Sequence, residues 1–280
     1  MPMGFPVQGF ASGLGYRPHS SDIFVCTYPK CGTTWMQYIV YLIVSKGKPL
    51  AAGESLTDVF PHLEEVGAEA VEALPEPRLI KTHLPYRLTP QRHEAKYVCV
   101  ARNPFDCAVS FFHHTRGFVR HYDFADGTFD DFFECFIAGE VDFGDYFEHL
   151  VSWYRRNEED NVLFVTYEDM QADVERIIVE VGGFLGGAAR AVTGDPRLRG
   201  LIRAESSFDS MRREQRRWSS ERPAGMPDFV RKGVVGDWKS HFSAQQARRL
   251  LDAFFEKTGG EGAYHLWPEV IAEALAFSRT

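Results

Sequence analysis

Residues 27–44 read TYPKCGTTWMQYIVYLIV: an apolar run ends, a lysine and a glycine fall in a turn, two threonines follow, and a long apolar segment begins. A strand that stops at Thr27, a short loop containing Gly32 and a helix from about Thr34 aim the unpaired N–H groups of the helix's first turn at the loop, where they suit a phosphate or sulfate. Lys30 adds a cation at the same place. The spacing is not the triphosphate loop GxxxxGK[ST], because the lysine precedes the glycine and no second glycine stands upstream at the required distance. The same residues are also compatible with a solvated loop lysine beside a glycine that only permits the turn. Further along, His83 follows Lys81 by two residues, so on a strand both side chains leave the same face. That sets a base beside a cation. Imidazole, with an ordinary pKa near ~6.5, is able to take a proton from a hydroxyl at cellular pH, and a nearby lysine favours its neutral form.

Groups so far apart in sequence need a frame to bring them together. Short apolar runs at 23–26, 78–81, 97–101 and 162–165 read as strands, and helical patterns follow at about 34–45, 104–116 and 170–185. In the last of these Val174, Ile177, Ile178, Val181 and Leu185 recur at helical spacing, while Pro104 suits a first turn capped by Asn103. Ser243 with Gln246 three residues later opens another helix, closed by Gly259 and Gly260. The alternation predicts an α/β fold: a single domain over 1–280 with a central parallel sheet flanked by helices and a P-loop-like strand-loop-helix. At 280 residues and 44% hydrophobic the chain has the material for one large core.

Composition also excludes partners. A net charge of -8 argues against broad binding to nucleic acid or to an anionic membrane, so an anionic ligand must be held by a local basic pocket. The opening MPMGFPVQGF has no basic n-region or apolar h-region, and no stretch offers about 18 uninterrupted apolar residues. A soluble, cytoplasmic protein is expected. The five cysteines, Cys26, Cys31, Cys99, Cys107 and Cys135, lack CxxC spacing and read as free thiols of a reducing compartment. No HExxH, paired CxxC or calcium-type loop is present, so no metal is expected.

Four separated blocks, TYPKCGTTW (27–35), KTHLP (81–85), ARNPFDCAVSFFH (101–113) and RKGVVGDWKSHF (231–242), together resemble the cytosolic sulfotransferases, which use 3'-phosphoadenosine 5'-phosphosulfate (PAPS) and release 3'-phosphoadenosine 5'-phosphate (PAP). TYEDM (166–170) and SSFDSM (206–211) fall between them in the family's order, and the resemblance runs over about 21–242. It implies that Lys30, with the backbone of Cys31, Gly32, Thr33 and Thr34, binds the 5'-phosphosulfate, and that Trp35 stacks on adenine. It places Arg102, Ser110, Arg231, Lys232 and Gly233 on the 3'-phosphate, and Tyr167, Ser206 and Phe208 along the adenosine. It makes His83 the catalytic base, with Lys30 and Lys81 stabilising the equatorial and leaving oxygens of an in-line sulfuryl transfer. Taken singly, Trp35 reads equally as core, Arg102 as a cap or ion pair, Ser110 as a helix serine bonded to its own backbone, and 231–233 as a solvated basic turn.

The acceptor is less legible. The 23 phenylalanines concentrate in segments such as SFFHHTRGF and FDDFFECF, which could wall a pocket for a phenol, monoamine or steroid; Phe10, Tyr86, His113 and Phe118 are the candidate lining residues. Two places depart from the family's pattern. Cys31 stands where serine is usual, and a thiol beside Lys30 and a helix N-terminus is expected to be acidic and oxidant-sensitive. KSHFSAQQAR (239–248) lacks the Thr-Val pair and acidic residue of the family's dimer segment, which leaves the oligomeric state open. Two rival classes share parts of the pattern. A P-loop kinase would need a triphosphate loop and magnesium ligands, and a nucleotide-binding protein without catalysis would have no use for His83.

Overall fold

Four apolar runs become the strands of one parallel sheet: β1 (Ile23–Thr27), β2 (Leu79–Thr82), β3 (Lys96–Ala101) and β4 (Val162–Thr166), in the order β2-β1-β3-β4. The computed structural model describes residues 4–119, 121–218, 228–260 and 262–279. Phe24 pairs with Ile80 on one side and with Tyr97 on the other, and Tyr97 with Val162, so the carboxyl ends of all four strands reach the same edge. Because β1 has its successors on opposite sides, the chain reverses its winding there; in open α/β sheets such switch points leave a crevice at the strands' carboxyl ends.

Helices cover both faces and fill the connections: α1 (Val7–Leu14), α2 (Thr33–Val44), α3 (Leu56–Val59), α4 (Leu63–Glu72), α5 (Pro104–Gly117), α6 (Phe129–Ala138), α7 (Tyr146–Tyr154), α8 (Tyr167–Ala172), α9 (Val174–Leu185), α10 (Gly187–Gly194), α11 (Pro196–Glu205), α12 (Phe208–Arg213), α13 (Ala244–Thr258) and α14 (Pro268–Phe277). Residues alternate along β1 between two cores. Ile23 and Val25 pack with Ile39, Ile43, Ile177 and Val181 under α2 and α9, whereas Phe24 and Cys26 pack with Ile80, Tyr97, Cys99 and Trp153 on the opposite face. A third, aromatic core joins α5, α6, α7, α13 and α14 through Phe105, Phe111, Phe133, Phe147, Trp238 and Phe254.

Most expected elements lie within a residue or two of the observed ones. The exception is the helix expected over 170–185, which is two helices. Asp173 adopts φ -154° and its side chain accepts from the N–H of Arg176, so it ends α8 and caps α9. The hydrophobic period continues across the break, which is why periodicity alone does not reveal it. At α13 the Ser243 side chain accepts from Gln246 N–H while Gln246 reaches back to Ser243 N–H, as the spacing suggests.

Ile39 is fully buried between α2 and the sheet, whereas Val179 on α9 is 44% exposed. Ile39→Ala should lower the unfolding free energy by about 2–5 kcal/mol in a denaturant titration, and Val179→Ala by no more than about 0.5.

Candidate active site

Each strand delivers one chemically capable residue at its carboxyl end: Lys30 after β1, His83 after β2, Arg102 after β3 and Tyr167 after β4. All four line one open cavity of about 1060 Å³. At its floor the chain leaves β1 and turns sharply. Lys30 takes a left-handed φ of 69° and Gly32 one of 93°. A side chain at 32 would meet the Tyr167 ring at 2.9 Å, so glycine is required by both conformation and space. Gly32 then serves as the N-cap of α2 without any side-chain cap, which leaves the N–H groups of the first turn for something else. The Lys30 ammonium lies over the Phe229 ring, 4.3 Å from its centroid.

His83 is held by the same turn. Its Nδ1 lies 2.7 Å from the carbonyl oxygen of Thr27 and 3.2 Å from Thr27 Oγ1, which is itself 2.6 Å from Thr33 Oγ1. A carbonyl only accepts, so Nδ1 carries the proton and Nε2 keeps its lone pair. Burial, then Lys81 and then His62, push the imidazole well below its ordinary value, which keeps it neutral at cellular pH. Burial likewise lowers the Lys81 ammonium, opposed by Glu64 and Glu65. The backbone N–H of His83 donates to Glu64 Oε1 at 2.7 Å, so the residue is fixed at ring and backbone.

Arg102 ties two loops together. Nη1 donates to the carbonyl of Lys30 at 3.4 Å and Nη2 to that of Val234 at 3.1 Å, while the guanidinium stacks 4.3 Å from the centroid of Tyr167. Its Nε is buried without a partner, as is Nε1 of Trp35. Ser110, one helix face along α5, Ser206, Phe208, Arg231, Lys232 and Gly233 complete the same wall. Gly233 has φ 62° and a Cβ there would strike the Phe208 ring at 2.5 Å. Arg231 and Lys232 both donate to Asp237, at 2.7 and 2.5 Å. Burial would raise the Asp237 carboxyl, but these two bonds prevail and hold it below its usual range. The loop is anchored from below by Asp106 on α5, which accepts from the N–H of Gly236 at 2.7 Å, the N–H of Trp238 at 3.1 Å and Nδ2 of Asn103 at 2.9 Å.

The structure does not bring every expected residue to the cavity. Cys31 lies beneath the turn, fully buried: its N–H donates to Tyr28 O, and its Sγ is 3.8 Å from Pro29 O and 3.7 Å from the Sγ of Cys107. The acidic, oxidant-sensitive thiol expected from its neighbours in sequence is thus enclosed by protein and does not face the cavity. His113 points away and places Nε2 3.1 Å from His241 Nε2; burial pushes it down to about 4. Tyr86 packs edge-on against Trp153, under the Arg156 guanidinium, on the α7 side. Phe10 sits in the α1–α4 helix pair and is not a lining residue. Of the phenylalanine-rich segments, Phe111 and Phe118 reach the cavity, whereas Phe112, Phe132, Phe133 and Phe136 are core. Around His83 the cavity is lined by Phe5, His62 and Phe143, residues that no local pattern singles out. Asp106, in the first turn of α5 three residues after the Asn103 cap, anchors a distant loop, and no local pattern singles it out. Among the described residues no group of three or more His, Cys, Asp or Glu side chains is placed to hold a metal ion, and no helix is long and apolar enough to cross a membrane.

Cations, helix-end donors and a neutral imidazole thus stand together on one parallel-sheet edge. Residues 20–262 match the family model described as the sulfotransferase domain, and the chain belongs to that family. It is 34% identical over 276 residues to Sulfotransferase 1C2 of Rattus norvegicus, covering 93% of this chain and 91% of the relative. It is 34% identical to Sulfotransferase 1A1 of Bos taurus, covering 91% and 90%. A mouse sulfotransferase solved in complex with PAP superposes with a TM-score of 0.72 at 26% identity, over 97% of this chain and 95% of that one. Retinol dehydratase, solved with androsterone and the inactive cofactor PAP, shares the fold with a TM-score of 0.78 at 23% identity, over 94% and 89%.

Three buried imidazoles contribute to the pH response. His62 and His83 are held well below the ordinary value of 6.5, by burial first and Lys81 second, and burial pushes His149 down to about 3. Between the folded and the ordinary values the unfolded chain binds protons that the folded chain refuses. The stability these groups contribute is therefore whole above about pH 6.5 and is lost as the pH falls below it. The melting temperature should drop on going from about pH 7 to pH 5, and less steeply in His149→Phe. Parallel slopes for the two proteins would remove His149 from that account.

Proposed function

We propose that this sulfotransferase moves a sulfuryl group from PAPS to the hydroxyl, or amine, of a small and largely aromatic acceptor such as a phenol, monoamine or steroid, with His83 as general base. The fit to the donor is supported by three features: an uncapped α2 N-terminus above Lys30, buried N–H groups of Trp35 and Arg102 without partners, and a Gly233 turn pressed against Phe208. When bound, the donor supplies a sulfuryl group on a mixed anhydride, which leaves readily by in-line displacement. Lys30 and the backbone of Gly32, Thr33 and Thr34 hold the 5' end. Trp35, Tyr167, Ser206 and Phe208 line the nucleoside, and Arg102, Ser110, Arg231, Lys232 and Gly233 hold the 3'-phosphate. Cys31 N–H is already committed to Tyr28 O, so Cys31 serves as a support of the turn rather than a donor to the ligand.

The single observation that carries the reading is the bond from His83 Nδ1 to Thr27 O, which leaves Nε2 unprotonated in a side chain that lines the cavity beside Lys81. Nε2 takes the acceptor's proton, while Lys30 and Lys81 stabilise the negative charge on the equatorial and leaving oxygens. Phe5, Phe111, Phe118 and Phe143 give the acceptor an apolar seat. Five free thiols, Cys26, Cys31, Cys99, Cys107 and Cys135, support a reducing, cytoplasmic setting. The reading treats the whole chain, 1–280, as one sulfotransferase domain.

Sulfate transfer from radiolabelled PAPS to a panel of phenols, monoamines, steroids and alcohols, in the presence of a chelator, tests the reaction and reveals the acceptor. His83→Ala should reduce turnover by at least about 100-fold while PAP affinity, read by calorimetry, changes little. Retained turnover in that variant would sink the general-base assignment. Gly32→Ala should act the other way round, weakening PAP binding by an order of magnitude or about 1.4 kcal/mol, because the turn cannot form without displacing Tyr167.

A further inference from the structure

Behind the base lies a second pair of titratable groups that sulfuryl transfer as described does not use. Residues 61–62 run alongside the end of β2: Lys81 N–H donates to Pro61 O at 2.9 Å, and His62 forms a parallel bridge with Lys81. That crossing sets His62, the residue before α4, and Glu64, in its first turn, against the turn that carries His83. Glu64 is wholly buried, and its Oε1 accepts from Thr82 Oγ1 at 2.9 Å and from His83 N–H at 2.7 Å. Its Oε2 has no hydrogen bond. Neither has Nε2 of His62, which is 5% exposed, and the two unsatisfied atoms face each other at 3.4 Å. Leaving either unpaired in a dry interior costs on the order of 1–3 kcal/mol, so a hydrogen between them has a strong incentive to close the gap.

The His62 ring is also oriented by its neighbours. It stands edge-on to His83 at 4.8 Å and to Phe5 at 5.0 Å, and it is tilted against Phe143 at 5.9 Å. The charged and titratable groups facing His83 are Lys81, His62 and Glu64; those facing Glu64 are His83, His62, Lys81, His149 and Cys26. In this set Glu64 is the anion in contact with the base. Once Nε2 of His83 accepts a proton, the ring becomes a cation beside the Lys81 ammonium, and the benefit of a counter-charge depends on Glu64 being ionised. Burial works against that by raising the Glu64 carboxyl, so a donor on Oε2 decides the matter.

We propose that His62 and Glu64 form a proton-sharing positioning pair: His62 Nε2–H keeps Glu64 a carboxylate, and Glu64 fixes the backbone of His83 and offsets the charge that His83 gains with the acceptor's proton. The proposal rests on the reading of His83 as base. No proton leaves the pair during the reaction; the acceptor's proton stops on His83 Nε2, and the pair supplies only its negative charge.

Two variants separate this from simple packing. His62→Phe keeps an aromatic ring against Phe5, Phe143 and His83 but removes the nitrogen; His62→Gln restores an N–H donor. Infrared spectra of the nucleotide-free protein at neutral pH, with Glu64→Gln in each background to assign the signal, report whether Glu64 carries a proton. The carbonyl band of a protonated carboxyl group should be absent from the wild type, present in His62→Phe, and absent again in His62→Gln. Turnover should fall about tenfold in His62→Phe and recover largely in His62→Gln, with PAP affinity unchanged within about twofold in both. A protonated Glu64 in the wild type, or an ionised one in His62→Phe, would overturn the proposal. An active His83→Ala enzyme would instead overturn the general-base reading beneath it, whatever the spectra show.

Discussion

The carbonyl of Thr27 accepts the Nδ1 proton of His83, and much of the site follows from that bond. It joins the turn after β1 to the turn after β2, so Lys30 and His83 cannot drift apart without breaking it. It fixes which nitrogen is basic. It requires Thr27 to sit at the last position of β1, where the carbonyl is released from the sheet, and this in turn requires the parallel register of Val25 with Lys81 and Cys26 with Thr82. A slip of one residue would put Lys81 and His83 on the opposite face.

Further supports converge on the same edge from outside the sheet. Asp106 holds the loop that ends at Trp238, Arg102 bridges that loop to Lys30, and Tyr146 donates from its hydroxyl to the carbonyl of Arg102. Glu168 accepts from Asn103 and from Nε1 of Trp267, which pins the start of α5 to α8 and to the segment that enters α14. Each of these is a buried polar group satisfied by a residue far away in sequence. The cost of misplacing any of them exceeds that of losing an exposed contact, because the abandoned partner stays in a dry interior.

Much of this was legible in the sequence. The strands were short apolar runs bounded by turn residues, and Lys30, Gly32, Lys81, His83 and Arg102 stood where those runs end. What escaped were features that depend on where distant segments cross. Nothing local to PHLEE at 61–65 says that it will run beside β2 and set His62 against His83. Tyr86 and His113 sat close to recognised blocks, but a strand that ends or a helix that turns by 100° carries neighbours to different surfaces. Proximity in sequence therefore found the cavity residues that stand at strand ends, and missed those that come from loops and from a helix flank.

Arg231 and Lys232 are not idle: both rest on Asp237. Any anion that takes them must first part them from a carboxylate, so its capture is an exchange of partners and not the filling of a positive void. The affinity of the loop for an anion would then reflect the difference between two acids competing for the same cations. Asp237 would in this sense be the standard against which any incoming acid is weighed.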